Sequence, residues 1–310
     1  MKGDASQVRV GALFNPSLHR MVERLTPVLD YLAVIPDRVW RDRGRNSPGR
    51  FQPVPRQLGW LEQAASELPI VLHSIGMSIC SAEIFDEEFA RNLMEWAARL
   101  NSPWISEHLS FSRAGSGHEV NAAFNLPVPY DLEMLDLLVP RVRFFTDSLA
   151  CPFLLENSVY YVRYPDQDLT EEEFLNRLCA RSGCGVLLDL HNLYTNSVNH
   201  GLSAADYVDN LRLENVAEIH LAGGSRMMGF HTDSHRGPVL EGVWELLEYT
   251  VPRARNLRGV TFEFHESSFD MMGESGFREQ MDRTRAILRK FRESQKAVSD
   301  VAQSIPAGPC

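Results

Sequence analysis

The chain has 310 residues, of which 44% are hydrophobic and 23% are charged, the balance of an ordinary globular protein. Its formal net charge of −10 disfavours nucleic acid as a partner, because binding to phosphates requires a basic surface. The five cysteines form no CxxC pair, which disfavours a disulfide framework and a structural zinc site. No apolar run approaches the ~18 residues that span a bilayer, and the first residues lack the apolar stretch of a signal peptide. We therefore expect a cytoplasmic protein without membrane contact.

Short apolar runs, rich in β-branched residues, alternate with amphipathic segments along the chain. The predicted strands are residues 8–13, 31–35, 70–73, 104–107, 153–156, 186–190, 216–221 and 260–264. The predicted helices are residues 86–100, 132–149, 170–181, 204–210 and 240–249. Asp86 and Thr170 are the expected N-caps of two of these helices. About eight strand–helix units in one domain predict an α/β fold, specifically a closed (β/α)8 TIM barrel.

A doubly wound open sheet is the structural alternative, but residues 11–16 (GALFNP) do not form the Gly-rich first turn that such sheets usually carry. Residues 41–55 and 113–129 are predicted to be long loops at the end of the barrel where substrate enters. We expect a single barrel domain over residues 1–292. A flexible C-terminal tail is expected over 293–310, where the pattern fades into polar residues.

Imidazole, carboxylate and amide side chains follow the ends of most predicted strands. In chain order they are His73, Glu107, His108, Glu156, Asn157, Asp189, His191, Asn192, His220, His231, Asp233, His235, Glu263 and His265. In a parallel barrel these positions converge on the C-terminal mouth. Eight of the ten histidines lie at strand ends or in the loops just after them, and only His19 and His118 do not.

Each of these residues alone has a simpler explanation. A single strand-end histidine is more often a satisfied polar residue, Asp189 can cap a helix, and Glu156 can pair with an arginine. Repetition favours a metal site, because several carboxylates placed together without a cation would repel one another. Imidazole and carboxylate suit iron, manganese and zinc. The candidates exceed the three or four protein ligands that one ion takes, so two or three ions are predicted.

Seven segments together resemble the multinuclear non-haem iron-dependent oxidases, barrel enzymes that modify ribosomally made peptides and include the methanobactin biosynthesis oxidase. The segments are HSIGMSI (73–79), WISEHLSF (104–111), LLENSVYY (154–161), LLDLHNLYTNSVNHG (187–201), EIHLAGG (218–224), TDSH (232–235) and TFEFHE (261–266). The resemblance extends from about Val10 to Leu288 and implies a barrel of the xylose isomerase-like superfamily, which also contains a three-zinc endonuclease for abasic DNA.

By position, the resemblance implies a set of metal ligands. They are His73, His108, Glu156, Asp189, Asn192, His220, Asp233, His235 and Glu263. In the wider superfamily the position of Asn192 is usually a histidine, and an amide is a weaker, neutral ligand. Residues expected beside the metals or facing substrate are His191, His200, Asn157, His231 and His265.

The activity implied by this resemblance is an O2-dependent oxidation of a precursor-peptide residue, with cysteine as the expected target and two or three iron ions (Fe2+/Fe3+) as cofactor. No protein acid or base is assigned. A small companion protein is expected to bind an exposed barrel edge or the C-terminal region. One alternative is a zinc or manganese hydrolase or isomerase of the endonuclease IV or xylose isomerase type, and the other is a non-catalytic metal-binding protein.

Overall fold

The computed structural model describes residues 8–14, 24–115 and 120–304. Within them the strands are β1 (Arg9–Leu13), β2 (Tyr31–Val34), β3 (Trp40–Asp42), β4 (Phe51–Pro53), β5 (Ile70–Ser74), β6 (Ile105–His108), β7 (Phe111–Ala114), β8 (Val120–Leu126), β9 (Phe153–Glu156), β10 (Gly185–Asp189), β11 (Val216–Ala222), β12 (Ser225–Met227), β13 (Phe230–Thr232) and β14 (Gly259–Glu263). The α-helices are α1 (Pro55–Glu67), α2 (Glu87–Leu100), α3 (Leu132–Thr146), α4 (Glu171–Ser182), α5 (Leu190–His200), α6 (Ala204–Asn210), α7 (Glu241–Thr250) and α8 (Phe269–Ser304).

Eight parallel strands close into a barrel in the order β1-β14-β11-β10-β9-β6-β5-β2. Each barrel strand therefore pairs with the next barrel strand along the chain, and β14 pairs with β1. The closed, all-parallel barrel with outer helices confirms the predicted fold class, and each predicted strand agrees with a barrel strand to within a residue or two. No helix in the described ranges is long and apolar enough to cross a bilayer.

Alternation along each barrel strand separates an inner core from an outer one. On β5, Ile70 and Leu72 face the large core shared with the helices, whereas Val71 belongs to a small cluster with Trp104 and Leu154. Successive strand residues point to opposite faces, so His73 continues the inward row that contains Val71. The inner apolar cluster fills one end of the barrel, and the polar strand ends occupy the other.

The register of the strands aligns those polar ends. His108 pairs with Glu156 across β6 and β9, and Asp189 pairs with His220 across β10 and β11. Because strand neighbours in a sheet lie about 5 Å apart, side chains from distant parts of the sequence are brought into one layer.

Helix starts follow the predicted caps. The side chain of Asp86 accepts a hydrogen bond from the backbone N–H of Phe89 at the start of α2. Thr170 and Glu173 form a reciprocal capping box at the start of α4. The prediction of both N-caps is confirmed.

Several elements were not predicted. The segments expected to be long loops contain two-stranded antiparallel hairpins, β3–β4 and β7–β8, and Pro55 begins α1, so the prediction of irregular loops there is wrong. Leu190 was assigned to a strand, but the Asp189 side chain caps α5 and the helix begins at once. Helix α8, which is kinked at Gly273 (φ +64°), continues to Ser304, so the tail expected to be flexible from residue 293 is helical as far as that residue. Cys310, His19 and His118 lie outside the described residues.

Candidate metal centre

Two histidines and one glutamate from three neighbouring strands form the first donor group. Nε2 of His73 lies 3.0 Å from Nε2 of His108, and both face Oε2 of Glu156, at 3.4 and 3.0 Å respectively. One donor atom from each of the three residues lies within 4.8 Å of the others. His73 and Glu156 are buried, whereas the side chain of His108 is 21% exposed.

A second group of four donors shares Glu156 with the first. Glu156, Asp189, His220 and Glu263 each place a ligand atom within 4.8 Å of the others, and all four are buried. Nδ1 of His220 lies 3.3 Å from Oε1 of Glu263 and 3.7 Å from Oε1 of Glu156. His73, His220 and Glu263 form a further group of three that connects the two sets.

Asp233 and His235, which follow β13, extend the donor groups toward solvent. Nε2 of His235 lies 2.8 Å from Oδ1 of Asp233 and 3.3 Å from Oε2 of Glu263. The side chains of Asp233 and His235 are 23% and 26% exposed. Together with His108 they form the accessible rim of an otherwise buried cluster.

Asn192 lies in the first turn of α5, beside Asp189. Oδ1 of Asp189 accepts the backbone N–H of Asn192 at 2.7 Å, and Nδ2 of Asn192 donates to the backbone carbonyl of Asn157 at 3.1 Å. Oδ2 of Asp189 and Oδ1 of Asn192 are buried, and neither has a hydrogen-bond partner among the described residues. Asp189 thus caps α5 with Oδ1, and its Oδ2 is available to a metal ion.

The electrostatics of the cluster are those of crowded carboxylates. Burial raises the pKa of Glu156 well above its usual range, and the charges of Asp189 and Glu263 raise it further. Burial and the charges of Glu263 and Asp233 raise the pKa of Asp189 to about 7. Although burial acts in the opposite direction, the charges of His220 and His235 hold the pKa of Glu263 well below its usual range. A cation bound at this position would remove the repulsion.

Each of the three histidines on the barrel strands, His73, His108 and His220, has a polar contact at the ring nitrogen that faces away from the cluster. Nε2 of His220 lies 3.4 Å from Oε1 of Glu218, Nδ1 of His73 lies 2.9 Å from Oγ of Ser106, and Nδ1 of His108 contacts the side-chain amide of Asn125. In each ring the other nitrogen faces the carboxylates of the cluster. Such supporting contacts fix the ring orientation of metal-binding histidines.

These supporting residues were not among the sequence candidates. Glu218 precedes His220 by two positions, so the alternation of the strand placed it on the inward face and could have identified it. Asn125 comes from the β7–β8 hairpin, which the sequence pattern indicated as a loop, and nothing local indicated its role.

Two predicted neighbours of the site lie close to it. His191 is buried, and its Nε2 lies 3.8 Å from Oδ1 of Asp233. A Cβ on Gly224 would come within 2.5 Å of the His191 ring, so a glycine is needed there for the ring to fit. Asn157 is also buried, and its amide exchanges two hydrogen bonds with the backbone of Asp189, which makes it a positioning residue rather than one that faces substrate.

Three further predicted histidines contact groups outside the donor set. Nε2 of His200 contacts the backbone carbonyl of Tyr160 at 2.9 Å, and the two rings stack. His231 accepts a hydrogen bond from Arg226 on the neighbouring strand. The His265 side chain is 50% exposed and caps a short 3-10 helix. None of these three belongs to a donor group found among the described residues, so the expectation that they lie beside the metals or face substrate stays a prediction.

The residues present fit a multinuclear metal site. Two buried oxygens, Asp189 Oδ2 and Asn192 Oδ1, have no hydrogen-bond partner among the described residues. Three further buried atoms, Glu156 Oε2, His220 Nδ1 and Asp233 Oδ1, are contacted by other members of the cluster. Leaving buried polar atoms unpaired is costly, and bound cations would satisfy them. His73, His108, Asn192, Asp233 and His235 can complete the coordination around the four buried donors.

Residues 9–275 match the family described as the RiPP precursor modification enzyme MbnB/TglH/ChrH, where RiPP denotes a ribosomally synthesised and post-translationally modified peptide. The chain belongs to this family. The match confirms the family resemblance inferred from the motifs, and members of the MbnB/TglH/ChrH family are enzymes that modify precursor peptides.

A UPF0276 protein of Rhizorhabdus wittichii is 34% identical over 225 residues, which cover 73% of this chain and 76% of the relative. A UPF0276 protein of Bordetella pertussis is 38% identical over 206 residues, 64% of this chain and 68% of the relative.

Solved structures with a similar fold are xylose isomerase-like TIM barrels. D-psicose 3-epimerase from Clostridium cellulolyticum superposes with a TM-score of 0.55 at 10% identity, covering 92% of this chain and 99% of the epimerase. Endonuclease IV from Thermus thermophilus gives a TM-score of 0.52 at 17% identity, covering 91% of this chain and 99% of the endonuclease. At these identities the similarity concerns the fold, while the family membership carries the connection with precursor peptides.

Proposed function

We propose that this member of the MbnB/TglH/ChrH family is a multinuclear non-haem iron oxidase that uses O2 to modify a residue, cysteine in the first instance, of a ribosomally made precursor peptide. The observation that carries the proposal is the sharing of Glu156 by two donor groups, His73–His108–Glu156 and Glu156–Asp189–His220–Glu263. One carboxylate with two oxygens in two donor groups suits adjacent ions better than a single ion. The nine predicted ligands suit two or three ions for the same reason.

The donor chemistry supports iron, but it also suits manganese and zinc. The described donors are imidazole nitrogens, carboxylate oxygens and one amide oxygen, and the groups contain no thiolate. Such a set suits iron, manganese or zinc. Iron is favoured by the family motifs, and the non-redox alternative is a zinc or manganese hydrolase or isomerase.

The protein's own part in the reaction is to hold the donors rigidly and to leave one side open. Bound iron would supply the activation of O2 and the redox chemistry. Glu218 fixes the ring of His220, and Ser106 fixes that of His73, so the buried donors cannot turn away from the cluster. The rim formed by His108, Asp233 and His235 is the accessible side, where we place the peptide thiol. Placing thiol and cofactor in one pocket supplies proximity.

The activity test is iron loading under anaerobic conditions, followed by O2 and a cysteine-containing peptide encoded beside the gene. We expect a change in peptide mass that requires both iron and O2. The variant Glu263→Gln should abolish it, and Glu266→Gln, which changes a nearby carboxylate outside the donor groups, should not. If the mass of every neighbouring candidate peptide stays unchanged with the iron-loaded protein, the proposal is wrong.

The identity and number of the ions can be tested separately by anomalous scattering at the iron edge on crystals of the protein. We expect two or three iron peaks near Glu156 and Glu263. A colourless protein that contains zinc at these positions and is inactive toward peptide would instead support the hydrolase or isomerase alternative.

A small companion protein that presents the peptide is the second part of the proposal. The hairpins β7–β8 and β12–β13 carry exposed apolar side chains, among them Phe124 and Met228, and they provide an exposed barrel edge on which a partner can bind. We expect the purified chain alone to be less active than the chain with its partner. Full activity of the chain alone would exclude an obligatory companion.

A further inference from the structure

A second cavity, of about 460 Å3, lies outside the barrel beside the segment that follows β9. Its walls come from that segment, from the residues between β8 and α3, from the first turn of α4, and from α5 and α6. Cavities of a few hundred Å3 are the usual size of ligand sites. None of its lining residues is a donor of the candidate metal centre.

Buried polar groups line this cavity. Glu171 is buried, and the hydroxyl of Tyr130 donates to its Oε1 at 2.8 Å. Tyr207 is only 8% exposed, and its hydroxyl has no hydrogen-bond partner in the described part of the chain. Tyr160 forms a further aromatic wall. Buried hydroxyls and carboxylates are normally paired, so an unpartnered phenol beside a buried acid is a site where a polar ligand can bind.

The acidic side chains that line the cavity indicate that the ligand carries a positive charge. Five acidic side chains line it, Asp168, Glu171, Glu172, Glu173 and Asp206, against one base, Arg163. Acidic residues are common in the first turn of a helix, where they compensate the dipole, and this explains the half-buried Glu172 and the capping Glu173. It does not explain why Glu171 is buried.

The groups around Glu171 do not stabilise its ionised form. Burial and the charge of Glu172 raise the pKa of Glu171 to about 8, although the hydrogen bond from Tyr130 acts in the opposite direction. The charge of Glu171 in turn raises the pKa values of the Tyr130, Tyr160 and Tyr207 hydroxyls, after the larger effect of burial. Arg163 lies on the exposed segment and acts on Tyr160. A cation bound beside Glu171 would stabilise its ionised form.

The cavity is close to the candidate metal centre along the chain. Tyr160 follows Glu156 by four residues, so their Cα atoms are at most about 14 Å apart. The hydroxyl of Tyr161 accepts the backbone N–H of Asp233 at 3.3 Å, and Asn196 binds the backbone of Ser158 and Tyr160. The segment after β9 thus contributes residues to both sites.

We propose that this cavity is a subsite for an organic cation, an ammonium or guanidinium group, and that it takes a lysine or arginine side chain of the peptide a few residues from the residue that is modified. The carboxylate of Glu171 forms the charge-assisted hydrogen bond, Tyr207 supplies the second polar contact, and the faces of Tyr130 and Tyr160 surround the cation. The assignment to a peptide rests on the proposed function. The cation site itself does not depend on it.

The test is calorimetric titration of the full-length protein, as purified, at pH 7. The probes are n-butylguanidinium, its neutral analogue n-butylurea, and a blocked tripeptide with a central arginine or, as its neutral counterpart, citrulline. We expect the guanidinium and the arginine tripeptide to bind at least about tenfold more tightly than their neutral analogues. Titrations in two buffers of different ionisation enthalpy should show release of close to one proton per bound cation, because Glu171 ionises on binding.

Variants distinguish the buried acid from the general negative charge. Glu171→Gln keeps the shape of the side chain and should weaken guanidinium binding at least about tenfold and abolish proton release. Tyr207→Phe should weaken binding without affecting the proton count. The matched control Glu172→Gln removes the same charge from the half-buried neighbour and should weaken binding at most about threefold, as expected for a partly solvated charge.

Two outcomes would overturn the proposal. Equal binding of n-butylguanidinium to the wild-type protein and to correctly folded Glu171→Gln, as judged by circular dichroism, would exclude the cation site. Binding of the free cation without binding of the arginine tripeptide would show that the site takes a small amine and not a peptide side chain. Neither result depends on turnover, so a failure of the oxidase proposal remains distinguishable from a failure here.

Discussion

Nε2 of His220 lies 3.4 Å from Oε1 of Glu218, two residues earlier on β11. Nδ1 of the same ring faces Glu156 and Glu263. Glu218 is itself held by Trp104, whose Nε1 donates at 2.7 Å, and by Thr261, whose Oγ1 donates at 2.6 Å. The inner end of the barrel therefore determines which nitrogen of His220 is offered to the cluster.

Replacing Glu218 with glutamine should weaken metal binding, because the carboxylate that orients His220 becomes a neutral, weaker acceptor. We expect a loss of about 10- to 100-fold in metal affinity. Competition with a chelator of known affinity measures this loss, and thermal unfolding of the metal-free proteins measures any separate loss of stability. Glu214→Gln, an exposed carboxylate just before β11, is the control and should change neither quantity. Unchanged metal affinity in Glu218→Gln would exclude the positioning role.

Removal of metal should destabilise the wild-type protein, because ligands that bind only the folded state stabilise it. At a free metal concentration about 100 times the dissociation constant the gain is about 2.7 kcal/mol, which corresponds to a rise in Tm of several degrees. In Glu156→Gln we expect a smaller stabilisation by metal. The metal-free variant should be at least as stable as the metal-free wild type, since one repelling carboxylate is gone, but addition of metal should raise its Tm less. Differential scanning calorimetry with and without chelator tests both statements.

Changing Asn192 should alter the number of bound ions. The variant Asn192→Leu removes an unpartnered buried oxygen from the cluster, so we expect the metal content to fall by about one ion per chain. Asn192→His should retain the full content and bind it more tightly, because imidazole is the better donor. Elemental analysis after removal of loosely bound metal measures the content. Equal content in Asn192→Leu and the wild type would mean that Asn192 is no ligand.

Protonation of Glu171 should give the protein a pH-dependent stability. Its pKa in the folded state, about 8, lies above the ordinary value of 4.5, so the folded protein binds the extra proton between these values. The contribution of protonated Glu171 to the free energy of unfolding is therefore greatest below pH 4.5, and it is lost as the pH rises toward about 8. Relative to Glu171→Gln, the wild type should lose on the order of a few kcal/mol of unfolding free energy over this interval.

Urea unfolding at several pH values measures this difference, and only the difference between the two proteins is diagnostic, since other buried acids also titrate. Glu172→Gln, which changes the half-buried neighbour, should follow the wild-type curve in shape. Parallel curves for the wild type and Glu171→Gln would show that Glu171 is ionised throughout, as it would be if an unrecognised cation already paired with it.

The sequence identified most of the barrel and much of the site, for a common reason. Strand residues alternate between two faces, so apolar runs that end in His73 or Glu156 predict both the strand and the inward polar end. The donors that the structure brings together, such as Asp189 and His220, were therefore accessible from local pattern. Helix α5 was missed because Asp189 ends a strand and caps a helix at the same position, which leaves no loop to mark the boundary.

What the sequence could not decide depends on the paths of loops. His235 and His265 both follow strands, yet only His235 turns into the cluster, whereas His265 caps a short helix at the surface. Asn125 reaches His108 because the β7–β8 hairpin folds over the barrel mouth. Such placements depend on contacts between residues far apart in the chain, and no local periodicity encodes them.

The amino-acid order by itself determined a closed parallel barrel with nitrogen and oxygen donors at one end, because strand periodicity and strand ends are local properties. Only the tertiary structure decided that Glu156 joins two donor groups, that Glu218 supports His220, and that Glu171 is buried in a cavity rather than exposed in the first turn of α4. These relations exist only when the strand register and the packing of separate segments bring the atoms within a few ångströms of one another.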